Sequence, residues 1–505
     1  MSQPRRFAFY CSGHGYGHAT RVSALTSSLL EVGHHVAIVT NAPTTPFSAV
    51  LDPTTSSSLD VTSSTRSQEA SPCSSTSKGP STSATHYATY RKRNVDAGIV
   101  QPKAYDVDRQ ATFNVLNEFI DAREETLREE VTWLKSEKID AVLSDSTFLG
   151  CAAAKGAGIP SIIVSNFTFD SCYSYLSHPA QPSIHDWSPE SPLPSELLDP
   201  LVDRTIADYA CADLLLRLPG AIPIPAFDTD VPMPAGKWVT QDRSSFTTEI
   251  EQILSRPTSK VPRGKVIDVP LIVRPLSINV FTNEFKYSLL KQLGVPKEMR
   301  DDKILLVSFG GQSIPRPKSQ PPSPLATPLE TTASSPTTTI NGSLAPNSNT
   351  TQSMAGLLPP GWISIVCGLG NGNEIKKDLP NRFFSSNEDI YIPDLTAIAD
   401  VVLGKLGYGT CSETISACTP FVYVPRPLFI EEFGLRRLMS KRGFCIELSR
   451  TDFEAGRWQF HVERAFELGQ LKKLELKSKG WKDEKSGQVI RIEIEKFLNE
   501  RERER

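Results

Sequence analysis

Two short stretches hold the residues that could do chemistry. The first is Gly13-His14-Gly15-Tyr16-Gly17-His18-Ala19-Thr20-Arg21, where two imidazoles and a guanidinium sit among glycines. An imidazole titrates near pH ~6.5, so His18, or His14 as the second candidate, can take a proton from a hydroxyl at neutral pH. The second stretch is Lys405-Leu406-Gly407-Tyr408-Gly409-Thr410-Cys411-Ser412-Glu413. Gly407, Gly409 and Thr410 offer backbone N–H groups and a hydroxyl to a diphosphate, and Lys405 can offset its charge. Glu413 can accept two hydrogen bonds from the vicinal hydroxyls of a ribose. The same carboxylate fits a capping box with Thr410, and Lys405 fits a surface lysine equally well.

Each stretch needs a strand before it and a helix after it. Phe7 to Cys11 is an apolar run that reads as a buried strand, and Val22, Leu25, Leu29 and Val32 have the spacing of one helix face. The turn between them can come close to a ligand because glycine tolerates positive φ. The following helix start presents unpaired N–H groups and the positive end of its dipole. The turn has neither the Gly-Lys-Ser/Thr of a P-loop nor the Gly-x-Gly-x-x-Gly of a dinucleotide site. A zinc hydrolase built on His14 and His18 is disfavoured, since His14 precedes the helix and the pair cannot share one helical face. No metal and no cofactor is expected.

Other polar groups fall at strand ends, the ligand edge of an open parallel sheet. Asp145 follows the strand Ile139 to Leu143; it can hold a hydroxyl or a histidine, or cap the next helix. Asn166 and Asp170 follow the strand from Ser161 and stand beside Phe167 and Phe169, a composition suited to a sugar and equally to a capped turn. Either Asp145 or Asp170 could hold the base. Gly310-Gly311-Gln312 closes the strand Ile304 to Phe309, and Glu431 and Glu432 follow the strand Phe421 to Pro425. Two carboxylates there suit donor-sugar hydroxyls, or a solvated helix start.

At 505 residues the chain has room for two or more domains, and its 39% hydrophobic share predicts inserts outside the core. The Ser/Thr-rich stretch 53–85 and the Pro/Ser/Thr-rich stretch 313–355 read as disordered insertions, and 220–263 as irregular. The halves are read as 1–265, an acceptor-side unit, and 266–505, a nucleotide-sugar-side unit. A net charge of -3 gives no sign of a nucleic-acid surface. The nine scattered cysteines suggest reduced thiols. No run approaches the roughly 18 apolar residues of a membrane span. The expectation is a cytoplasmic protein without a transmembrane segment.

The pattern resembles the GT-B fold: α/β, with two Rossmann-like doubly wound domains facing across a cleft. Its second half is similar to family 28 glycosyltransferases, in which a Gly-x-x-Thr-x-x-Glu helix start holds the diphosphate and ribose of a UDP-sugar. Gly407, Thr410 and Glu413 match that spacing, while the family's two glutamines in the next loop stand here as Glu431 and Glu432. The histidine of that family's first glycine loop corresponds to His18.

A longer resemblance is to the amino-terminal, glycosyltransferase-like half of the plant L-arabinokinase family. It rests on 13–21, Val164 to Asp170, Leu216 to Gly220, Val266 to Arg274, Phe309 to Gln312 and Leu403 to Thr410, in one order. The chain stops where that family's kinase domain would begin and shows no Gly-Leu-x-Ser-Ser phosphate loop, so the resemblance does not imply kinase activity. It implies a metal-independent transferase with a UDP-sugar as substrate, an unknown acceptor hydroxyl and a histidine base. The donor would lie on Gly310, Gly311, Gln312, Lys405, Gly407, Tyr408, Gly409, Thr410, Glu413, Glu431 and Glu432. Catalysis would fall to His18, His14 and Asp145, with Gly13, Gly15, Tyr16, Gly17, Arg21, Asn166 and Asp170 on the acceptor side. The alternative is a non-catalytic sugar-nucleotide-binding protein, or a partner of a separate sugar kinase.

Overall fold

The computed structural model describes residues 3–51, 87–179, 191–310, 356–368, 379–386, 390–478 and 485–504. Both expected insertions, with Gly311 and Gln312, lie outside them. Two parallel sheets form the frame. The first comprises β1 (Arg6–Cys11), β2 (His35–Thr40), β3 (Thr89–Lys92), β4 (Ala141–Asp145), β5 (Ser161–Ser165), β6 (Leu214–Arg217) and β7 (Lys265–Asp268), in the order β3-β2-β1-β4-β5-β6-β7. The second comprises β8 (Lys303–Ser308), β9 (Trp362–Val366), β10 (Phe383–Ser385), β11 (Val401–Gly404), β12 (Phe421–Tyr423) and β13 (Cys445–Glu447), in the order β10-β9-β8-β11-β12-β13.

The central strands read as continuous apolar runs because helices cover both faces. Phe7, Phe9 and Cys11 face the first helix, Tyr16–Leu30, through Val22, Leu25 and Leu29. Ala8 and Tyr10 face Leu134, Val142 and Ala153 on the other side. Each sheet reverses its winding once, between β1 and β4 and between β8 and β11, which lie side by side. Ligands of open parallel sheets sit at such switch points, beyond the carboxyl ends of the strands. Cys11 pairs with Asp145 in the first sheet and Gly404 with Ser308 in the second, so both chemical stretches emerge there.

Gly404 is required by this crossing: a Cβ on it would stand 2.1 Å from the Ser308 carbonyl oxygen, a backbone atom that cannot turn aside. Gly404→Ala is expected to cost about 1–3 kcal/mol as overpacking. Denaturant unfolding checks this, and an unchanged midpoint would contradict it.

Several expectations are corrected. The apolar run Ile390-Tyr391-Ile392 reads as a strand in the sequence, but Ile392–Ile398 is a helix, and Pro393 in its first turn lacks only an N–H that has no intrahelical partner there. The strand is Phe383–Ser385 instead. Phe113, Leu116, Ile120, Leu127, Val131 and Leu134 have helical spacing through Lys135, and the structure divides that stretch into two helices, Arg109–Asp121 and Arg123–Ser136. The stretch from about Glu196 through Leu216 reads as helical, but the helix stops at Tyr209, and Leu214–Arg217 is β6. The irregular 220–263 stretch contains the helix Thr248–Ser255, capped by Thr247 and buried through Ile250 and Ile253.

Two pieces read with the second half lie against the first. Lys265–Asp268 pairs with β6 at the sheet edge. The helix Ser486–Arg503 returns to pack Ile490, Ile494, Phe497 and Leu498 into the same core as Leu25 and Leu29. Val489 and Ile492, off that face, are exposed. Arg5 bonds Asn499 at 2.7 Å and Glu502 at 2.9 Å, and His34 Nε2 lies 3.0 Å from Glu495.

Candidate functional site

The two chemical stretches meet across one cavity of about 410 Å³. The first helix begins at Tyr16 after Gly15, whose φ is 93°, and the helix Tyr408–Ala417 begins after Gly407; neither has a side-chain cap. The two starts almost touch, since a Cβ on Gly409 would meet the Gly17 Cα at 3.6 Å. Helix geometry leaves the first N–H groups of each without an intrahelical acceptor. Cys411 is the residue whose N–H reaches Gly407 O, at 2.9 Å. The N–H groups of Gly409 and Thr410 precede it, at the cavity wall.

Because the helix starts at Tyr408, Thr410 is inside it and cannot be the cap, so the capping-box reading of Glu413 fails. Glu413 is engaged by Arg274 instead: Nε donates to Oε1 at 2.9 Å and a terminal nitrogen reaches the same oxygen. Both residues line the cavity, and the guanidinium lies 5.4 Å from the Tyr391 ring centre. Sequence reasoning missed Arg274, although it ends the Val266 to Arg274 motif that carries the resemblance. Lys405 lines the same end; burial, with Arg426 nearby, pushes its pKa down to about 7.

Between the two units runs a buried polar chain. The Arg21 guanidinium donates to Asp145 Oδ2 at 2.7 Å and also reaches Oδ1, and donates to Asn166 Oδ1 at 2.7 Å. It lies over the Tyr408 ring at 4.8 Å. Asn166 in turn donates to Glu431 Oε1 at 3.0 Å, and Glu431 Oε2 stands 3.6 Å from Arg426. Glu432 accepts from the Arg426 backbone N–H at 3.0 Å, and burial raises its carboxyl to about 7 despite that guanidinium. Burial alone would raise Asp145 as well; Arg21, helped by His18, overrides it and holds the carboxyl below its ordinary range.

The histidines have separate carboxylates. His18 Nδ1 lies 3.2 Å from Asp145 Oδ1 and 3.1 Å from an Arg21 nitrogen. His14 Nε2 lies 3.2 Å from Asp96 Oδ1. Burial works against a charge on His14, but Asp96 outweighs it and the net shift is upward. Asp96 also escaped the sequence reading; its one signal is its place just beyond β3 at the ligand edge.

Most of the expected residues line the cavity: His14, Gly15, Tyr16, Gly17, His18, Arg21, Gly310, Lys405, Gly407, Tyr408, Gly409, Thr410, Glu413 and Glu431. Asp145, Asn166 and Glu432 lie behind that wall, in the polar chain. Gly13 packs on Asn41 and stays off the wall. Asp170 is buried near Ser171 and Thr168, and burial raises its carboxyl to about 6.

No family model matches the chain. L-arabinokinase of Arabidopsis thaliana is 30% identical to it over 466 residues, 92% of this chain. The chain spans about a third of that relative, 32% of its length. Among solved structures, a UDP-glucosyltransferase from Polygonum tinctorium capable of glucosylating indoxyl superposes with a TM-score of 0.51 at 12% identity, covering 99% of this chain and 100% of that one. TcCGT1 in complex with UDP gives 0.50 at 14% identity, covering 99% and 100%. The fold is therefore GT-B, that of glycosyltransferases, and the sequence resemblance to L-arabinokinase is borne out. Among the described residues no helix is long and apolar enough to cross a membrane.

Proposed function

We infer that the chain is a UDP-sugar-dependent glycosyltransferase acting in the cavity between its two sheets. The observation that carries this reading is the meeting of two uncapped helix starts, with Lys405 and the Glu413–Arg274 pair at one end and two histidines at the other. The resemblances in sequence and fold support it. Glu413 takes the ribose hydroxyls; the helix start at Gly409 and Thr410, with Lys405, takes the diphosphate. Protein groups thus stabilise the leaving group without calling on a metal. A histidine removes the acceptor's hydroxyl proton. The oxygen bonds the anomeric carbon, the bond from that carbon to the diphosphate oxygen breaks, and UDP leaves with the electron pair.

The decisive test is UDP release from a panel of UDP-sugars with monosaccharide acceptors. UDP release that rises with acceptor supports the reading. Binding of UDP-sugars with no turnover would replace it by the non-catalytic one. One observation favours that second reading: Glu431, expected on donor hydroxyls, already has Asn166 on one carboxylate oxygen.

Lys405 gives a second test. With its pKa held near 7 against an unfolded value near ~10.4, the unfolded chain carries a proton at pH 8 that most native molecules lack. Stability from this group therefore rises with pH between about 7 and 10. A bound diphosphate restores the charge, so UDP binding at pH 8 should take up close to one proton. Calorimetry in buffers of different ionisation enthalpy reads this directly. Lys405→Met should abolish the uptake; if the variant takes up as much, the proton goes elsewhere, for example to Glu432.

A further inference from the structure

We propose that the acceptor's proton is taken by His14, with Asp96 as its positioning residue, rather than by His18; this rests on the transferase reading above. The two imidazoles open on one cavity but stand in opposite electrostatic settings. Asp145, the carboxylate of His18, is already gripped at both oxygens by Arg21. An Arg21 nitrogen stands 3.1 Å from His18 Nδ1, a fixed cation beside that ring. The Arg21 contacts with Asn166 and Tyr408 tie that histidine to the structural joint between the units.

Asp96 is the reverse case. It is 1% exposed, and apart from His14 Nε2, 3.2 Å from Oδ1, neither of its oxygens meets a hydrogen-bond donor among the described residues. A buried carboxylate of that kind is costly until a cation reaches it. The charged group it can acquire is His14, 3.2 Å away. Cys11, Tyr173 and Tyr209, which also feel the charge of Asp96, are buried and pushed up, hence neutral. Proton transfer to His14 thus creates the charge that Asp96 lacks, the logic of a histidine–carboxylate base pair.

The ring is also fixed in place. Gly98, with φ +58°, lies so close that a Cβ on it would come within 1.9 Å of the imidazole. Phe169 meets the ring edge-on at 6.3 Å. With Nε2 turned to Asp96, Nδ1 is the nitrogen left for substrate. The His14 side chain is 34% exposed at the cavity, against 11% for His18. In the transfer, Nδ1 accepts the hydroxyl proton as the oxygen bonds the anomeric carbon and UDP departs; the imidazolium, paired with Asp96, then returns the proton to solvent.

The test uses the full chain and whichever of UDP-glucose, UDP-galactose and UDP-N-acetylglucosamine turns over fastest. His14→Gln should lower kcat by about 10²–10⁴-fold and erase the acid limb of the pH–rate profile, with the Kd of UDP within threefold of wild type. Asp96→Asn should move that limb to lower pH, an effect a merely structural residue would not produce. His18→Gln, whatever its rate, should keep the limb in place. If His14→Gln retains more than a third of kcat with the limb intact, or His18→Gln removes the limb, the assignment is wrong and the transferase reading stands. If wild type binds UDP yet releases none from any donor, both fall. His14 is half-exposed on a loop, so its variant remains informative even if Asp96→Asn fails to fold.

Discussion

Glu413→Ala is expected to lose most of the discrimination between UDP and 2′-deoxy-UDP. A carboxylate that accepts ribose hydroxyls contributes about 1.5–3 kcal/mol per charged hydrogen bond, or roughly 10–100-fold in affinity. Wild type should therefore bind UDP at least tenfold more tightly than the deoxy compound. A saturating ligand at about 100 times its Kd should add about 2.7 kcal/mol to stability, enough to follow by thermal melting. The variant should show equal, weaker stabilisation by both ligands. Arg274 complicates the simple form of this experiment. Both of its contacts fall on Oε1, so Oε2 is the oxygen that can turn to a ribose without breaking the pair. Once Glu413 is gone, the partly exposed guanidinium is released at the same wall and can attract the diphosphate. Glu413→Ala alone thus understates the loss in UDP affinity, and the double variant with Arg274→Met exposes it. Wild-type indifference to the 2′-hydroxyl would remove Glu413 from the ribose role.

What the sequence made legible follows from range. The strand–glycine–helix units are local patterns, and both stood at 13–21 and 405–413 as expected; Gly404 beside Ser308 shows how tightly the second is built. The resemblance, carried by ordered motifs, pointed to the GT-B fold. What stayed hidden depends on which distant side chains the fold brings together. Arg274 meets Glu413 across 139 residues, Asn166 meets Glu431 across 265, and nothing in periodicity pairs them. Asp96 illustrates the same limit, because a single carboxylate after a short edge strand carries no signal until His14 is seen against it. The capping-box alternative at Thr410 failed for a local reason: the extended backbone of Gly407 starts the helix three residues earlier than the Thr-x-x-Glu spacing suggests. The final helix joined the first unit because its apolar residues at 490, 494 and 498 form one stripe, and that stripe finds its partners on the first helix.

Arg21→Met should be the most destabilising single change in the cavity wall, about 3–5 kcal/mol at neutral pH. The guanidinium is buried, and its loss strands Asp145, which is 1% exposed, and leaves Asn166 one hydrogen bond short. The pH dependence carries the sharper signature. In wild type the Asp145 carboxyl is depressed, so its contribution is present above the unfolded value near ~3.9 and is lost as pH falls through the folded value. In the variant the buried carboxylate has lost the guanidinium that led in overriding burial, so its folded pKa is expected to rise above the unfolded one. Its native state then binds a proton more readily than the unfolded chain, and the variant recovers stability as pH falls toward 5. The gap between wild type and Arg21→Met should accordingly be widest near pH 7.5 and narrower at pH 5, where unfolding midpoints are still measurable for both. A gap of equal size at the two pH values would mean that Asp145 is not the group Arg21 stabilises, and that the joint between the two units is held by packing around Tyr408 instead.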